Sequence, residues 1–168
     1  MSSVSKMAWP ILILLFFAYG ENEIPMQQNV EKIYLKTYYK SGEIKAEGWM
    51  EENQKTDYWY NYFRNGKVES KGSFVRDKKS GYWYFYDQQS RLLREGHFRA
   101  ENKENWWVFY DSPVILHKMQ FENNRKNGFC FIYKNGVIAK ADRYKNDTLK
   151  GSWRSIAAFK KDNPNASF

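Results

Sequence analysis

The sequence predicts an all-β protein, an open antiparallel meander of about five tandem β-hairpin repeats of 23–24 residues preceded by an N-terminal signal segment. Three observations lead there. The stretch 57–98 is written twice: Asp57-Tyr58-Trp59-Tyr60-Asn61-Tyr62-Phe63-Arg64-Asn65-Gly66 with Gly72 and Phe74, then Gly81-Tyr82-Trp83-Tyr84-Phe85-Tyr86-Asp87 with Gly96 and Phe98, offset by 24 residues. Aromatic residues make up 19% of the chain, and they favour half-buried strands. Beyond residue 20 the alternation has period two and helical spacing is nearly absent.

In chain order, residues 1–20 read as a signal peptide. Lys6 precedes an apolar run from Met7 to Phe17, and the small residues Ala18 and Gly20 suit cleavage after Gly20. An uncleaved anchor is the other reading, although a membrane helix needs ~20 apolar residues. Residues 21–34 form a polar leader, 35–159 the repeat domain and 160–168 a flexible C-terminal tail.

Within the domain, Leu35, Trp59, Trp83, Trp106, Phe129 and Trp153 form a register column. Met50, Phe74, Phe98, Phe121 and Tyr144 follow its first five members at a constant 15 residues. The gap to the next mark is 8 or 9, which places the variation in the outer connection of each hairpin. Ser41-Gly42, Asn65-Gly66, Gln89-Ser90, Ser112-Pro113 and Asn135-Gly136 stand at the inner turns. Asn-Gly signals a two-residue type I′ turn, whereas Pro113 cannot take the positive φ that turn needs. Counting back from Asn65-Gly66 sets Trp59 opposite Gly72, and the same count sets Trp83 opposite Gly96 and Leu35 opposite Gly48. A large ring beside a cross-strand glycine covers exposed backbone.

One face is then apolar, with Trp59, Phe63, Val68 and Phe74 followed by Trp83, Phe85, Leu92 and Phe98. The other carries Tyr38, Tyr60, Tyr62, Tyr84 and Tyr86 among Lys and Glu, continuing into Trp107, Phe109, Cys130, Ile132 and Ala141. Tyrosine gives contact area at low entropic cost. Tyr38, Tyr60, Tyr62, Tyr84, Tyr86, Trp107 and Phe109 are therefore the candidate partner-binding face. The apolar part in the last two units needs a cover: the segment 153–159, curling of the sheet, or a partner.

The quoted units resemble the bacterial variant of the membrane occupation and recognition nexus (MORN) repeat. Tyr62-Phe63-Arg64-Asn65-Gly66-Lys67, Lys71-Gly72 and Lys79-Ser80-Gly81-Tyr82-Trp83-Tyr84-Phe85-Tyr86 carry the resemblance, with Asn127-Gly128-Phe129 and Lys134-Asn135-Gly136 as weaker copies, over about residues 35 to 153. The resemblance implies an open twisted meander and scaffolding or lipid contact without catalysis. Some bacterial relatives look like antitoxins of toxin–antitoxin pairs, a cytoplasmic role that an export signal opposes. Gly48-Trp49 with Tyr58-Trp59-Tyr60 is similar to one unit of choline-binding cell-wall repeats. The following Gly72-Ser73 and Gly96-His97 lack the Trp that would complete an aromatic cage.

No catalytic or cofactor constellation stands out. His97 and His117 fall in different columns without metal-ligand spacing. Cys130 is the single cysteine, so no internal disulfide forms, and flanked by Phe129 and Phe131 it reads as a buried thiol. The formal charge of +8 suits anionic partners, but the basic runs 76–79 and 124–127 fall at loop tips, where Lys and Arg keep sheet edges apart. The expectation is an exported, non-catalytic binding or scaffolding protein of the cell envelope, periplasmic or secreted. It has no cofactor, no metal, no nucleic acid and no small-molecule substrate. Its partner is another protein or an envelope component such as an anionic lipid or glycan. A carbohydrate or cell-wall binding module and an antitoxin-like protein are the alternatives.

Overall fold

The computed structural model describes residues 31–166. The signal segment lies outside the described residues, as do most of the leader and the last two residues of the tail. The eleven strands are β1 (Ile33–Tyr38), β2 (Ile44–Glu51), β3 (Gln54–Tyr62), β4 (Val68–Val75), β5 (Lys78–Tyr86), β6 (Leu92–Arg99), β7 (Asn102–Ser112), β8 (Ile115–Glu122), β9 (Arg125–Lys134), β10 (Val137–Lys145) and β11 (Thr148–Trp153). They pair antiparallel in sequence order in a single open sheet with β1 and β11 at its ends. A short helix, α1 (Ile156–Asp162), follows, capped by the Ser155 hydroxyl, which accepts from the Ala158 amide. The fold class is thus the expected one.

The turns divide the chain differently from the sequence reading. The outer connections at 52–53, 76–77, 100–101, 123–124 and 146–147 are the constant ones: each has two residues, both with positive φ. That is type I′ geometry. The inner turns vary. The first three use three residues ending in Gly42, Gly66 or Ser90 at positive φ, and the Gly66 amide bonds back to the Phe63 carbonyl. A bulge one step later restores the register, so Trp59 still faces Gly72, Trp83 faces Gly96 and Leu35 faces Gly48. The last two inner turns have two residues, Pro113-Val114 and Asn135-Gly136. Only the second is the type I′ turn expected of Asn-Gly.

One missing residue per inner turn moves the register column. It reads Leu35, Trp59, Trp83, Trp107, Cys130 and Trp153, and from Trp59 on each member stands six residues after an outer turn. Trp107 is fully buried in the core, against Phe85, Phe98 and Phe109, with Met119, Phe121 and Cys130 in the same cluster. Trp106 and Phe129 lie on the opposite face, each stacked on Phe131. Side chains alternate with period two, so a one-residue error inverts both faces. The second column, from Met50 to Tyr144, holds throughout: Phe74 and Phe121 are buried, and Met50, Phe98 and Tyr144 pack against the core.

The core sits on one side of a single layer, and the indoles lie along the sheet. Trp59, Trp83 and Trp107 each cover the glycine of the preceding strand, Gly48, Gly72 and Gly96, where a Cβ would come within 2.4 Å of the ring. Each indole Nε1–H donates to the carbonyl one residue after that glycine: Trp49 at 2.8 Å, Ser73 at 3.0 Å and His97 at 2.9 Å. Four lysines spaced 24, 24 and 23 residues apart roof this face. The ammonium of Lys55 lies 4.3 Å from the Trp59 ring centroid, that of Lys79 5.5 Å from Trp83, that of Lys103 5.2 Å from Trp107 and that of Lys126 5.1 Å from Tyr144. Their alkyl stems supply cover that a second layer would give elsewhere. Burial pushes the Lys55 and Lys103 ammonium pKa values down. Each lysine backbone is also clasped by the next outer turn. Asp77, Glu101, Asn124 and Asp147 donate their amides to the carbonyls of Lys55, Lys79, Lys103 and Lys126, and their side chains accept the amides of the same lysines.

The second face closes only at the C-terminal end. Phe159 of α1 is fully buried against Phe129, Phe131 and Trp153. Of the three covers considered for the apolar end, the segment 153–159 is the one used, and α1 extends through Lys160 and Lys161 to Asp162, where a tail was expected.

Candidate binding face

The tyrosine face is built by rows that cross the sheet. One row reads Lys36, Glu47, Tyr60, Lys71, Tyr84, Glu95, Val108, Lys118, Phe131, Ala141 and Trp153, each residue directly opposite the next. It begins with alternating charges and tyrosines and ends in the apolar cluster under α1. The sequence-predicted Tyr60, Tyr62, Tyr84 and Tyr86 are half-buried on this face, and Tyr38 is exposed at the β1 edge. Trp107 and Phe109 are not part of it. They lie on the core side, Trp107 with no exposed surface and Phe109 packed against it. The displaced register mark misplaced them. The apolar end of the face is Trp106, Phe129 and Phe131 instead, and α1 occupies it.

The charges on this face are held by the tyrosines. The Tyr62 hydroxyl donates to Glu47 at 2.6 Å, and Lys36 reaches the other oxygen of Glu47 at 3.0 Å. Tyr110 repeats the arrangement with Glu95 at 2.7 Å. Between them Lys71 lies over the rings of Tyr84 and Tyr86, at 5.2 and 5.8 Å. Tyr60 stacks on Tyr62 and meets the edge of Tyr58. The Tyr62 hydrogen bond and the Lys36 ammonium hold the Glu47 carboxyl below the usual carboxylate range. Burial first, and Glu95 second, push Tyr82 up to about 12. Tyr62 and Tyr110 move up for the same reasons, each from burial and then from its glutamate partner. The face is therefore an aromatic surface on which Glu47, Lys71 and Glu95 are each engaged by a tyrosine.

Sequence reasoning missed Tyr34, Trp49, Tyr58, Tyr82 and Tyr110 on this face. Tyr34, Tyr58 and Tyr82 share one 24-residue column that was visible in the repeat. His97 packs edge-on against Tyr82 at 4.9 Å, and His117 pairs with Asp111 at 3.1 Å. Cys130 is buried in the core, and burial pushes its thiol up to about 11, away from nucleophilic use. Among the described residues no group of three or more His, Cys, Asp or Glu stands where it could hold a metal ion, and no helix is long and apolar enough to cross a membrane. No protein-family model matches the chain, and no curated protein matches it.

Proposed function

We propose that the chain is an exported, non-catalytic repeat protein whose tyrosine face is a binding or scaffolding surface in the cell envelope. The observation that carries this reading is the continuous row in which Tyr60 and Tyr84 alternate with the charged Glu47, Lys71 and Glu95. Such a face offers ring area, polar tips and little conformational freedom to lose on contact. The buried, high-pKa thiol of Cys130 weighs against nucleophilic catalysis. Export rests on the pattern around Lys6 and Ala18-Tyr19-Gly20. The partner is a protein or another envelope component. The test pairs fractionation with cross-linking in the native host. The expected result is an envelope-fraction chain starting near Glu21, whose cross-linked partner is lost in the Tyr60→Ser/Tyr84→Ser variant. A chain starting at Met1 in the cytoplasm would remove the envelope assignment, and an unchanged cross-link would return these tyrosines to a packing role.

A further inference from the structure

The N-terminal end of the tyrosine face carries an aromatic corner that packing does not explain. Trp59, Trp83 and Trp107 have essentially no exposed surface, yet Trp49 is 40% exposed. Its counterparts in the following repeats are Ser73, His97, Gln120 and Arg143, so the fold asks for a polar residue at this position and the first repeat supplies an indole. Tyr34, 47% exposed, stands at 77° to Trp49 with ring centroids 5.2 Å apart. Together they form an open corner of two rings at one end of the sheet.

Beside the corner is a polar crevice of about 200 Å³, lined by Glu51, Glu52, Gln54, Lys55, Thr56 and Arg76. Thr56 faces Trp49 across the strands, and Glu51 faces Gln54, so all four side chains share the face of the indole. Among the described residues no side-chain hydrogen bond or ion pair holds Glu51, Gln54, Thr56 or Arg76. Lys32 pairs with Asp57 instead. An exposed indole beside unengaged carboxylate, amide, hydroxyl and guanidinium groups is the chemistry of a sugar site. A pyranose ring lays its C–H face on the indole, and its rim hydroxyls, each both donor and acceptor, meet planar polar side chains. The crevice balances Glu51 and Glu52 against Lys55 and Arg76, whereas an anionic lipid surface calls for clustered cations. Two ring walls leave a quaternary ammonium half uncovered.

We infer that Tyr34, Trp49 and the adjoining crevice of Glu51, Gln54, Thr56 and Arg76 form a saccharide-binding subsite for a neutral or weakly charged glycan. It rests on the reading of the chain as a non-catalytic binding protein, but uses residues apart from Tyr60 and Tyr84. The test measures retention of the full chain on insoluble peptidoglycan, chitin and cellulose, and on immobilised dextran, with three variants. The expected result is retention on at least one of these, weakened about tenfold or more by Trp49→Ala, as for an aromatic anchor at the centre of a contact. Gln54→Ala should weaken it less, and Tyr60→Ser/Tyr84→Ser should leave it unchanged. Trp49 is exposed, so Trp49→Ala should keep the circular dichroism spectrum and urea midpoint, which separates lost binding from lost fold. Retention on none of the four matrices overturns the inference, as does retention insensitive to Trp49→Ala. A self-association constant in sedimentation that falls in Trp49→Ala makes the corner an interface between copies and also overturns it. Loss of glycan retention in the double tyrosine variant alone would move the site to the centre of the face. Failure here with the tyrosine-dependent cross-link intact leaves the broader function standing.

Discussion

The strand pairs joined by the first three outer turns, β2–β3, β4–β5 and β6–β7, and those joined by the last two, β8–β9 and β10–β11, bury their cores by different means. In the first three, a tryptophan lies flat over a glycine of the preceding strand, and lysine stems roof it. The other face is left to half-buried tyrosines. In the last two, the pair changes: Met119 stands where the glycine was and Cys130 where the tryptophan was, directly opposite each other. Bulk has moved from one strand to its neighbour at the same place in the core. At the next step Asp142 replaces the glycine, 3% exposed and tied to Lys140 at 2.9 Å. A Cβ there leaves no room for an indole, and β11 pairs one residue out of step, so Trp153 turns to the tyrosine face. There it bonds Asp162 and packs against Phe159. The comparison teaches that a one-layer sheet can lay an indole flat across its core side only where the neighbouring strand has no side chain at that point. Where it has one, a second element must be added.

This contrast can be broken at several points. The largest expected effect is Trp83→Ala, about 3–5 kcal/mol of lost stability from a buried aromatic and the cavity it leaves. Tyr84→Ala, one residue on but on the other face, should cost a fraction of that, and urea midpoints of the two variants compare the faces directly. Phe159→Ala should cost nearly as much, about 3 kcal/mol, but only in the C-terminal hairpins, because it removes the cover over Phe129, Phe131 and Trp153. Hydrogen exchange should show amides of β9 to β11 losing protection while those of β3 to β5 keep it.

Gly72→Ala tests the ring-over-glycine rule. Its added methyl would stand 2.4 Å from the Trp83 ring, so a loss of about 1–3 kcal/mol is expected, as for overpacking. Gly66→Ala meets no atom within 4 Å but must hold φ at 78°, and should cost about 1 kcal/mol through the backbone alone. Equal losses at both positions would remove the special status of Gly72.

The smallest effect is alkaline. Folding raises the pKa of Tyr62, Tyr82 and Tyr110 above the ordinary value of 10.0. The folded chain therefore keeps protons that the unfolded chain has begun to lose. Stability from these groups is fully present below pH ~10 and falls as pH rises beyond it. The urea midpoint should drop across that range, and Tyr62→Phe should make the drop shallower.

Much of this was legible in the chain. The 24-residue echo between 57–80 and 81–104 specifies hairpins, and the glycine two positions before Met50, Phe74 and Phe98 marks where an indole can lie. The lysine column at 55, 79, 103 and 126 was equally regular, but it reads as ordinary surface charge until the rings beneath it are placed. The order of Trp106 and Trp107 was the costly error. Both are tryptophan, and only the length of the inner turn says which one faces the core. The exposed Trp49 was visible as a departure from the repeat, yet its exposure depends on which face its neighbours leave open.

What the sequence by itself determined is the repeat, the antiparallel meander, the glycines Gly48, Gly72 and Gly96 and the second column from Met50 to Tyr144, because each follows from local spacing and period-two alternation. Tertiary structure alone decided the turn types, since Asn65-Gly66 and Asn135-Gly136 are the same dipeptide in two different turns. It also decided which faces of β7 and β9 meet the core, and the docking of α1 on Phe131. The physical reason is that a register shift of one residue costs little locally and inverts both faces of the strand that carries it, so the choice is made by packing across strands that no short stretch of sequence contains.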